Sequence, residues 1–139
     1  MTADHYESGP LTPPTIHHLT LTVTDVDRSA AWYQALLGPA VAIRRTGPGW
    51  ERVRMQWSSG LVIGVTTHDG TRAGDAFAHE RVGLDHVGLG CRDEAEVRRW
   101  ARRLDQIGAI RGSVEDVPYG WAVTGRDPDS IPVEFFAPK

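Results

Sequence analysis

The sequence has little that would indicate a secreted, membrane-bound or nucleic-acid-binding protein. Its single cysteine, Cys91, excludes an intrachain disulfide framework and favours a reducing compartment. No stretch approaches the roughly 20 apolar residues that a membrane-spanning helix needs, and the N-terminus lacks the basic and then apolar segments of a signal peptide. A formal net charge of -3 gives no electrostatic footprint for nucleic acid. We therefore expect a cytoplasmic protein that binds neither membranes nor nucleic acid.

The composition is typical of one globular domain. Hydrophobic residues make up 40% and charged residues 24% of the 139 residues, which is enough to build a single packed core. The first residues are rich in Pro, Thr and Ser, which predicts a flexible tail over residues 1–15. The remaining residues, 16–139, are predicted to form one domain.

An internal repeat is the most informative feature of the sequence. Corresponding residues of its two copies are separated by a constant 68 positions, so the copies agree in spacing as well as in residue type. The matching pairs are His18 with His86, Asp25 with Asp93, Trp32 with Trp100 and Leu36 with Leu104.

Each copy of the repeat predicts a strand, a helix and then three more strands. Residues 16–23 alternate apolar and polar side chains, as a half-buried strand does. Asp25 and Asp93 are suitable N-caps for the two helices, and Gly38 and Gly108 are suitable ends. The later strands are predicted at residues 40–45, 51–57, 61–67, 109–114, 121–125 and 131–136.

These elements predict an α+β fold made of two βαβββ modules. Module one covers residues 16–68, a polar linker covers 69–83, and module two covers 84–137. We expect the modules to pair into a curved, partly open mixed sheet with the helices outside.

Strand alternation identifies which polar residues share the face away from the helices. In the first strand Leu21 and its apolar neighbours belong under the helix, so His18 and Thr20 lie on the opposite face. The same argument places His86 and Glu134 on that face of their own strands. Two imidazoles and one carboxylate can hold Fe(II), Mn(II) or Zn(II) and leave coordination positions open. The three predicted metal ligands are therefore His18, His86 and Glu134.

The repeat also shows where a fourth ligand is missing. The second helix segment is two residues longer, so beyond it the offset becomes 70 and Glu134 corresponds to Gly64. Glycine has no donor atom and leaves space for a substrate or for water. Gly64 is therefore predicted to line the side of the site that a substrate or two water molecules occupy.

Aromatic residues and one further histidine fall near the predicted mouth of the cup. Trp50, Trp57 and Trp121 are candidates for stacking on a planar ligand, although packing in the core or at the rim is an equal alternative. His68 and Tyr119 are candidates for acid–base chemistry, and an exposed loop position is the alternative for His68.

With these residues assigned, the chain resembles the vicinal-oxygen-chelate superfamily, which includes glyoxalase I, extradiol dioxygenases, fosfomycin-resistance enzymes and bleomycin-binding proteins. The resemblance covers residues 16–137. Its motifs are HLTL at 18–21, RSAAWY at 28–33, LG at 37–38, GLDHV at 83–87 and DPDSIPVE at 127–134.

The resemblance implies a divalent-metal enzyme that chelates oxygens of a small-molecule substrate. Gly64 stands where four-ligand members such as glyoxalase I have a ligand, which favours a three-ligand dioxygenase-like or lyase-like reaction. Thr20 matches the fosfomycin group, which implies that Thr20 contacts the substrate, but Val114, Pro118 and Thr124 replace the other polar substrate contacts of that group. The alternative is a metal-free drug-binding protein of the bleomycin-resistance type. The resemblance also implies a homodimer.

Overall fold

The computed structural model describes residues 9–139, and these form eight strands and two helices. The predicted tail 1–15 lies partly outside the described residues, and residues 9–18 are exposed and without regular secondary structure. The elements are β1 (Leu19–Thr22), α1 (Val26–Leu37), β2 (Val41–Gly47), β3 (Trp50–Gln56), β4 (Val62–His68), β5 (Val87–Gly90), α2 (Glu94–Gln106), β6 (Glu115–Val117), β7 (Gly120–Arg126) and β8 (Pro132–Pro138).

The strands form two four-stranded mixed sheets, one from each module. The first sheet has the order β1-β4-β3-β2 and the second has the order β5-β8-β7-β6. In each sheet the first strand of the module runs parallel to the last, and the other neighbours are antiparallel. The predicted α+β fold with two βαβββ modules is confirmed. The hydrogen-bonded ladders of the described chain stay within each module, so the modules pack together without forming one continuous sheet.

The strand register reproduces the offsets of the sequence repeat. In the first sheet Thr20 lies beside Gly64, and in the second Gly88 lies beside Glu134. These two pairs are equivalent, because the offset is 68 for the first strand and 70 for the last. The predicted correspondence of Gly64 and Glu134 is therefore confirmed.

Both helices begin at the predicted caps. The carboxylate of Asp25 accepts a hydrogen bond from the backbone N–H of Arg28 at 2.9 Å, and Asp93 accepts one from Glu96 at 2.9 Å. Such caps satisfy backbone donors that have no partner within the helix. Gly38, with a φ of 96°, follows α1 directly, where a residue with a Cβ would be strained.

One predicted strand is wrong in position. Residues 109–114 are joined to β7 by an isolated bridge between Arg111 and Gly125 and by the hydrogen bond from the N–H of Arg126 to the carbonyl of Ile110. The regular strand of this region is β6, three residues long, which follows that segment. The continuous ladder with β7 is therefore formed by β6, next to the β6–β7 turn, and not by residues 109–114.

Two buried clusters form the core, and α1 contributes to both. Tyr33 packs with strands of the first sheet and with Val133 of β8. Leu36, one turn later, packs with α2 and with Phe135. Helix α1 thus joins the two modules as well as covering its own sheet.

Two buried carboxylates reinforce this junction. Asp127 accepts hydrogen bonds from the Tyr33 hydroxyl at 3.0 Å and from two backbone N–H groups of its own turn. Asp129 accepts from the backbone N–H of Thr24 at 2.9 Å and from its hydroxyl at 2.5 Å, and it pairs with Arg28 at 3.2 Å. The turn between β7 and β8 is therefore fixed to the start and middle of α1.

Neither of the two helices within residues 9–139 has the length and apolar content required to cross a membrane.

Candidate metal centre

His86 and Glu134 are the two predicted ligands that the structure brings together. The face of each sheet that α1 and α2 leave uncovered is called its open face. Glu134 lies on the open face of the second sheet, because its neighbours Val133 and Phe135 are buried against helices. His86 directly precedes β5, and its Nε2 is 3.9 Å from Glu134 Oε2. The ring nitrogen and the carboxylate oxygen therefore face each other across two neighbouring strands.

The adjacent Asp85 orients the His86 ring. Its Oδ1 lies 2.6 Å from His86 Nδ1. We assign the proton to Nδ1, because an ionised carboxylate only accepts hydrogen bonds. The pKa of Asp85 is lowered by this hydrogen bond and by a weaker contact from His79. With Nδ1 protonated, Nε2 keeps a free lone pair on the side of Glu134, as a metal-ligating histidine requires.

Glycine beside the pair keeps the site open. A Cβ at Gly88 would be 3.5 Å from Glu134 Oε1, and one at Gly90 would meet no atom within 4 Å. A larger residue at Gly88 would project towards the carboxylate. The donor set and the space around it fit a divalent cation bound by nitrogen and oxygen.

His18 lies apart from this pair. It directly precedes β1 and is exposed, and its Nδ1 is 3.0 Å from Nδ1 of His17. No three His, Cys, Asp or Glu side chains in residues 9–139 are grouped closely enough to hold an ion. The burial of Leu21 and Val23 and the exposure of Thr20 agree with the predicted faces of β1. The role of His18 as a metal ligand stays a prediction.

The predicted substrate contacts Gly64 and Thr20 are adjacent on the open face of the first sheet. A Cβ at Gly64 would lie 3.1 Å from Thr20 Oγ1 and 3.7 Å from Arg52 Cδ. This close approach shows that Gly64 also permits the packing of Thr20 and Arg52. Their contact with a substrate stays a prediction.

His68 lies at the far end of its sheet from His18. Ile63 pairs with Leu19 at the start of β1, whereas His68 ends β4 and pairs with Trp50. His68 is five positions beyond Ile63 along β4, roughly 17 Å. An acid–base role for His68 beside a metal held by His18 is therefore not supported.

The predicted aromatic contacts divide between the two faces. Trp50 lies on the open face, 5.1 Å from the Arg52 guanidinium. Trp57 is 7% exposed, and its Nε1 donates to the carbonyl of Gly38 at 2.8 Å. Trp121 packs with the core cluster under α2. The predicted substrate contacts of Trp57 and Trp121 are not supported, because both rings lie on the helix side of their sheets.

Tyr119 remains compatible with a role near a substrate. It is 71% exposed in the β6–β7 turn, and its ring lies 6.2 Å from that of Phe136. Phe136 follows Glu134 by two residues, so both side chains project from the open face of β8. The acid–base role of Tyr119 stays a prediction.

Sequence reasoning missed Asp85 beside the candidate metal pair, and it missed Arg52 on the open face of the first sheet. The signal for Asp85 was a carboxylate directly before a candidate histidine ligand. A carboxylate often accepts a hydrogen bond from the histidine ring nitrogen that does not bind the metal. For Arg52 the signal was its position two residues before Arg54 in a strand, which places two guanidinium groups on one face.

Comparison with known proteins identifies the family. The sequence profile of the Glyoxalase/Bleomycin resistance protein/Dioxygenase superfamily matches residues 15–135. The chain belongs to this superfamily. An uncharacterized protein of Pseudomonas aeruginosa is 31% identical over 129 residues, which cover 88% of this chain and 87% of the relative.

Solved structures agree with this assignment. A glyoxylase/bleomycin resistance protein/dioxygenase domain from Frankia sp. EAN1pec is 29% identical, with a TM-score of 0.84 and coverage of 92% of this chain and 94% of that one. The fosfomycin resistance protein FosX of Listeria monocytogenes, complexed with Mn(II) and sulfate, is 20% identical, with a TM-score of 0.65 and coverage of 92% and 95%. Lactoylglutathione lyase from Agrobacterium tumefaciens is 21% identical, with a TM-score of 0.64 and coverage of 91% and 96%. The last two similarities show the fold alone.

Proposed function

We propose that this member of the superfamily is a divalent-metal-dependent enzyme that acts on a small molecule. His86 and Glu134 are two of its metal ligands, and His18 is the third. The observation that carries this proposal is the arrangement of His86 between Asp85 and Glu134, which leaves one ring nitrogen free beside a carboxylate. The Mn(II) bound to FosX, which shares the fold, is consistent with such an ion.

The reaction class follows from the ligand set. An ion held by two imidazoles and a carboxylate keeps coordination positions open and supplies a Lewis acid for neighbouring substrate oxygens. In the protein, Asp85 fixes the tautomer of His86, and the glycines of β5 leave room for the substrate. Gly64 supplies no fourth ligand, which favours a dioxygenase-like or lyase-like reaction over that of a four-ligand enzyme.

We further propose that the enzyme is a homodimer in which His18 comes from the second copy. His18 is exposed and stands outside the His86–Glu134 pair within one chain. The open face of the first sheet also carries exposed apolar side chains, with Val41 at 69% and Ile43 at 43% exposure. A second copy that covers this face with its own second sheet would bury these side chains and complete the ligand set.

The alternative, a metal-free drug-binding protein, has less support. It requires aromatic walls around a planar ligand, and two of the three tryptophans predicted for that purpose lie on the helix side of their sheets. Trp50 and Tyr119 remain available for stacking.

Metal titration of purified protein tests the proposed enzyme. We expect the protein, stripped with chelator and handled anaerobically, to bind about one Mn(II), Fe(II) or Zn(II) per chain, measured by elemental analysis after gel filtration. His86→Ala and Glu134→Gln should each weaken binding by at least about tenfold, since each removes one ligand. His18→Ala removes the proposed third ligand and should also weaken metal binding. His17→Ala removes the neighbouring imidazole, which is not a proposed ligand, and is the matched control. Failure of the wild-type protein to bind any of the three ions would contradict the proposal.

A further inference from the structure

Three arginines share the open face of the first sheet. Arg52 and Arg54 are two residues apart on β3, so their side chains leave the strand on the same side. Arg45 of β2 is directly opposite Arg52 in the ladder. We name Arg45, Arg52 and Arg54 the arginine patch. Two like charges that face each other across a strand pair repel, which lowers the stability of the pair.

The arginine patch has no acidic partner in the described part of the chain. No ion pair within residues 9–139 involves any of its three members. Arg44, on the opposite face of β2, contacts both Asp27 and Glu51. The fold thus pairs the arginine on the helix side and leaves those on the open face without a carboxylate partner, although Arg54 Nη1 donates to Gln56 Oε1 at 3.3 Å.

Arg52 is held in place for such a ligand. Its Nε donates to Thr66 Oγ1 at 2.8 Å, and its guanidinium carbon is 5.1 Å from the centre of the Trp50 ring. The Trp50 ring lies over Gly47, where a Cβ would come within 2.5 Å of it. With Nε occupied, the two terminal nitrogens of Arg52 remain free. A guanidinium presents such a pair of donors to the two oxygens of a carboxylate or phosphonate.

The arginine patch adjoins the proposed site. Arg54 pairs with Gly64, which lies beside Thr20, and Thr20 projects from the same face as His18. A substrate on a metal bound by His18 would therefore lie against this face.

We propose that the arginine patch binds the anionic end of the substrate. This inference rests on the proposed function and refines it. The substrate class is a small molecule that carries a carboxylate, phosphate or phosphonate group besides the oxygens that chelate the metal. Arg52 is the principal contact, and Arg45 and Arg54 supply further positive charge.

Anion binding to metal-free protein tests this proposal separately from the metal site. Protein stripped with chelator would be titrated with inorganic phosphate and, in a second arm, with malonate, and followed by tryptophan fluorescence and calorimetry. We expect saturable binding of at least one anion, weakened by about tenfold or more in Arg52→Gln and Arg45→Gln. Arg44→Gln, which removes the same charge from the other face of β2, should bind as the wild type does. Preference for phosphate or malonate indicates which anionic group the substrate carries.

Several results would overturn the inference. One is the absence of saturable binding of either anion to the wild type, and another is an equal loss in Arg44→Gln. A third is a wild-type dimer that binds neither anion but dissociates in Arg52→Gln, by sedimentation velocity, because the patch would then contact the second copy. Circular dichroism checks folding, and Arg54→Gln serves if Arg52→Gln unfolds. Metal binding without anion binding would contradict this inference alone, whereas the reverse result would contradict the proposed metal enzyme.

Discussion

Cys91 shows how burial determines the chemistry of a single side chain. It follows β5 on the helix side and is 8% exposed. Burial raises the pKa of its thiol to about 11, and the nearby carboxylates of Glu96 and Asp93 contribute in the same direction. A raised pKa keeps the thiol protonated at neutral pH, and the thiolate is the reactive form.

We predict that Cys91 reacts very slowly with thiol reagents in the folded protein. At pH 8 a thiol of pKa about 11 is ionised roughly 200-fold less than an ordinary cysteine of pKa ~8.5, and limited access slows it further. Iodoacetamide labelling, followed by mass spectrometry, should be slow in buffer and rapid in concentrated urea. Complete labelling of native protein within minutes would contradict this prediction.

At the scale of single residues, strand alternation predicted the faces of the candidate ligands well. Glu134 lies between buried neighbours, and the side chains next to His18 and His86 alternate as expected. The same rule could have excluded Trp57, which follows Val53 and Met55 at even spacing, and Trp121, which precedes Val123. The alternative for both rings, packing in the core or at the rim, agrees with their positions in the structure.

At the scale of elements, the contact of α1 with the β7–β8 turn is the clearest link between the modules. Tyr33 is fully buried and donates to Asp127. Burial and then the negative charge of Asp127 raise the pKa of Tyr33 well above its ordinary value, so the hydroxyl remains a donor.

We predict that Tyr33→Phe lowers the free energy of unfolding by about 1–3 kcal/mol, because Asp127 stays buried with one donor fewer. Tyr119→Phe removes the same hydroxyl from an exposed turn and should change stability by less than about 0.5 kcal/mol. Urea denaturation of both variants and the wild type provides the comparison. Equal midpoints for Tyr33→Phe and the wild type would show that the hydrogen bond contributes nothing to the junction.

Element prediction failed where turns interrupt the pattern. The segment 109–114 contains apolar Ala109, Ile110 and Val114, but Gly108 precedes it and Gly112 lies within it, and Arg111 alone forms a bridge. The helices were predicted well, because Asp25 and Asp93 provide caps whose effect is local. Pairing between strands depends on contacts distant in sequence, which a local pattern does not determine.

At the scale of the whole molecule, the proposed dimer makes a prediction about mixed subunits. His18→Ala and His86→Ala should each fail to form a complete site as homodimers. In a heterodimer of the two, the site that uses the remaining His18 of one chain and the remaining His86 of the other is intact. We therefore expect co-expressed variants to regain about one bound ion per heterodimer. Purification through two different affinity tags followed by elemental analysis measures this stoichiometry.

If all three ligands came from one chain, the heterodimer would contain no intact site and would bind no ion at that position. The mixed experiment thus distinguishes the two arrangements without knowledge of the substrate. The sequence could not distinguish the two arrangements. The repeat shows that His18 and His86 are equivalent positions, but it does not show whether module one faces module two of the same chain or of the partner chain.

The separation of the two sheets has a consequence for how this architecture adapts to new substrates. Because side chains such as Asp129 and Tyr33 join the modules, the angle between the sheets can change without breaking any backbone ladder. Substitutions at a few junction residues would then change the angle at which one chain presents its two open faces to a second copy, while both sheets stay intact. A continuous sheet would resist such adjustment, since every change of angle would strain its backbone hydrogen bonds.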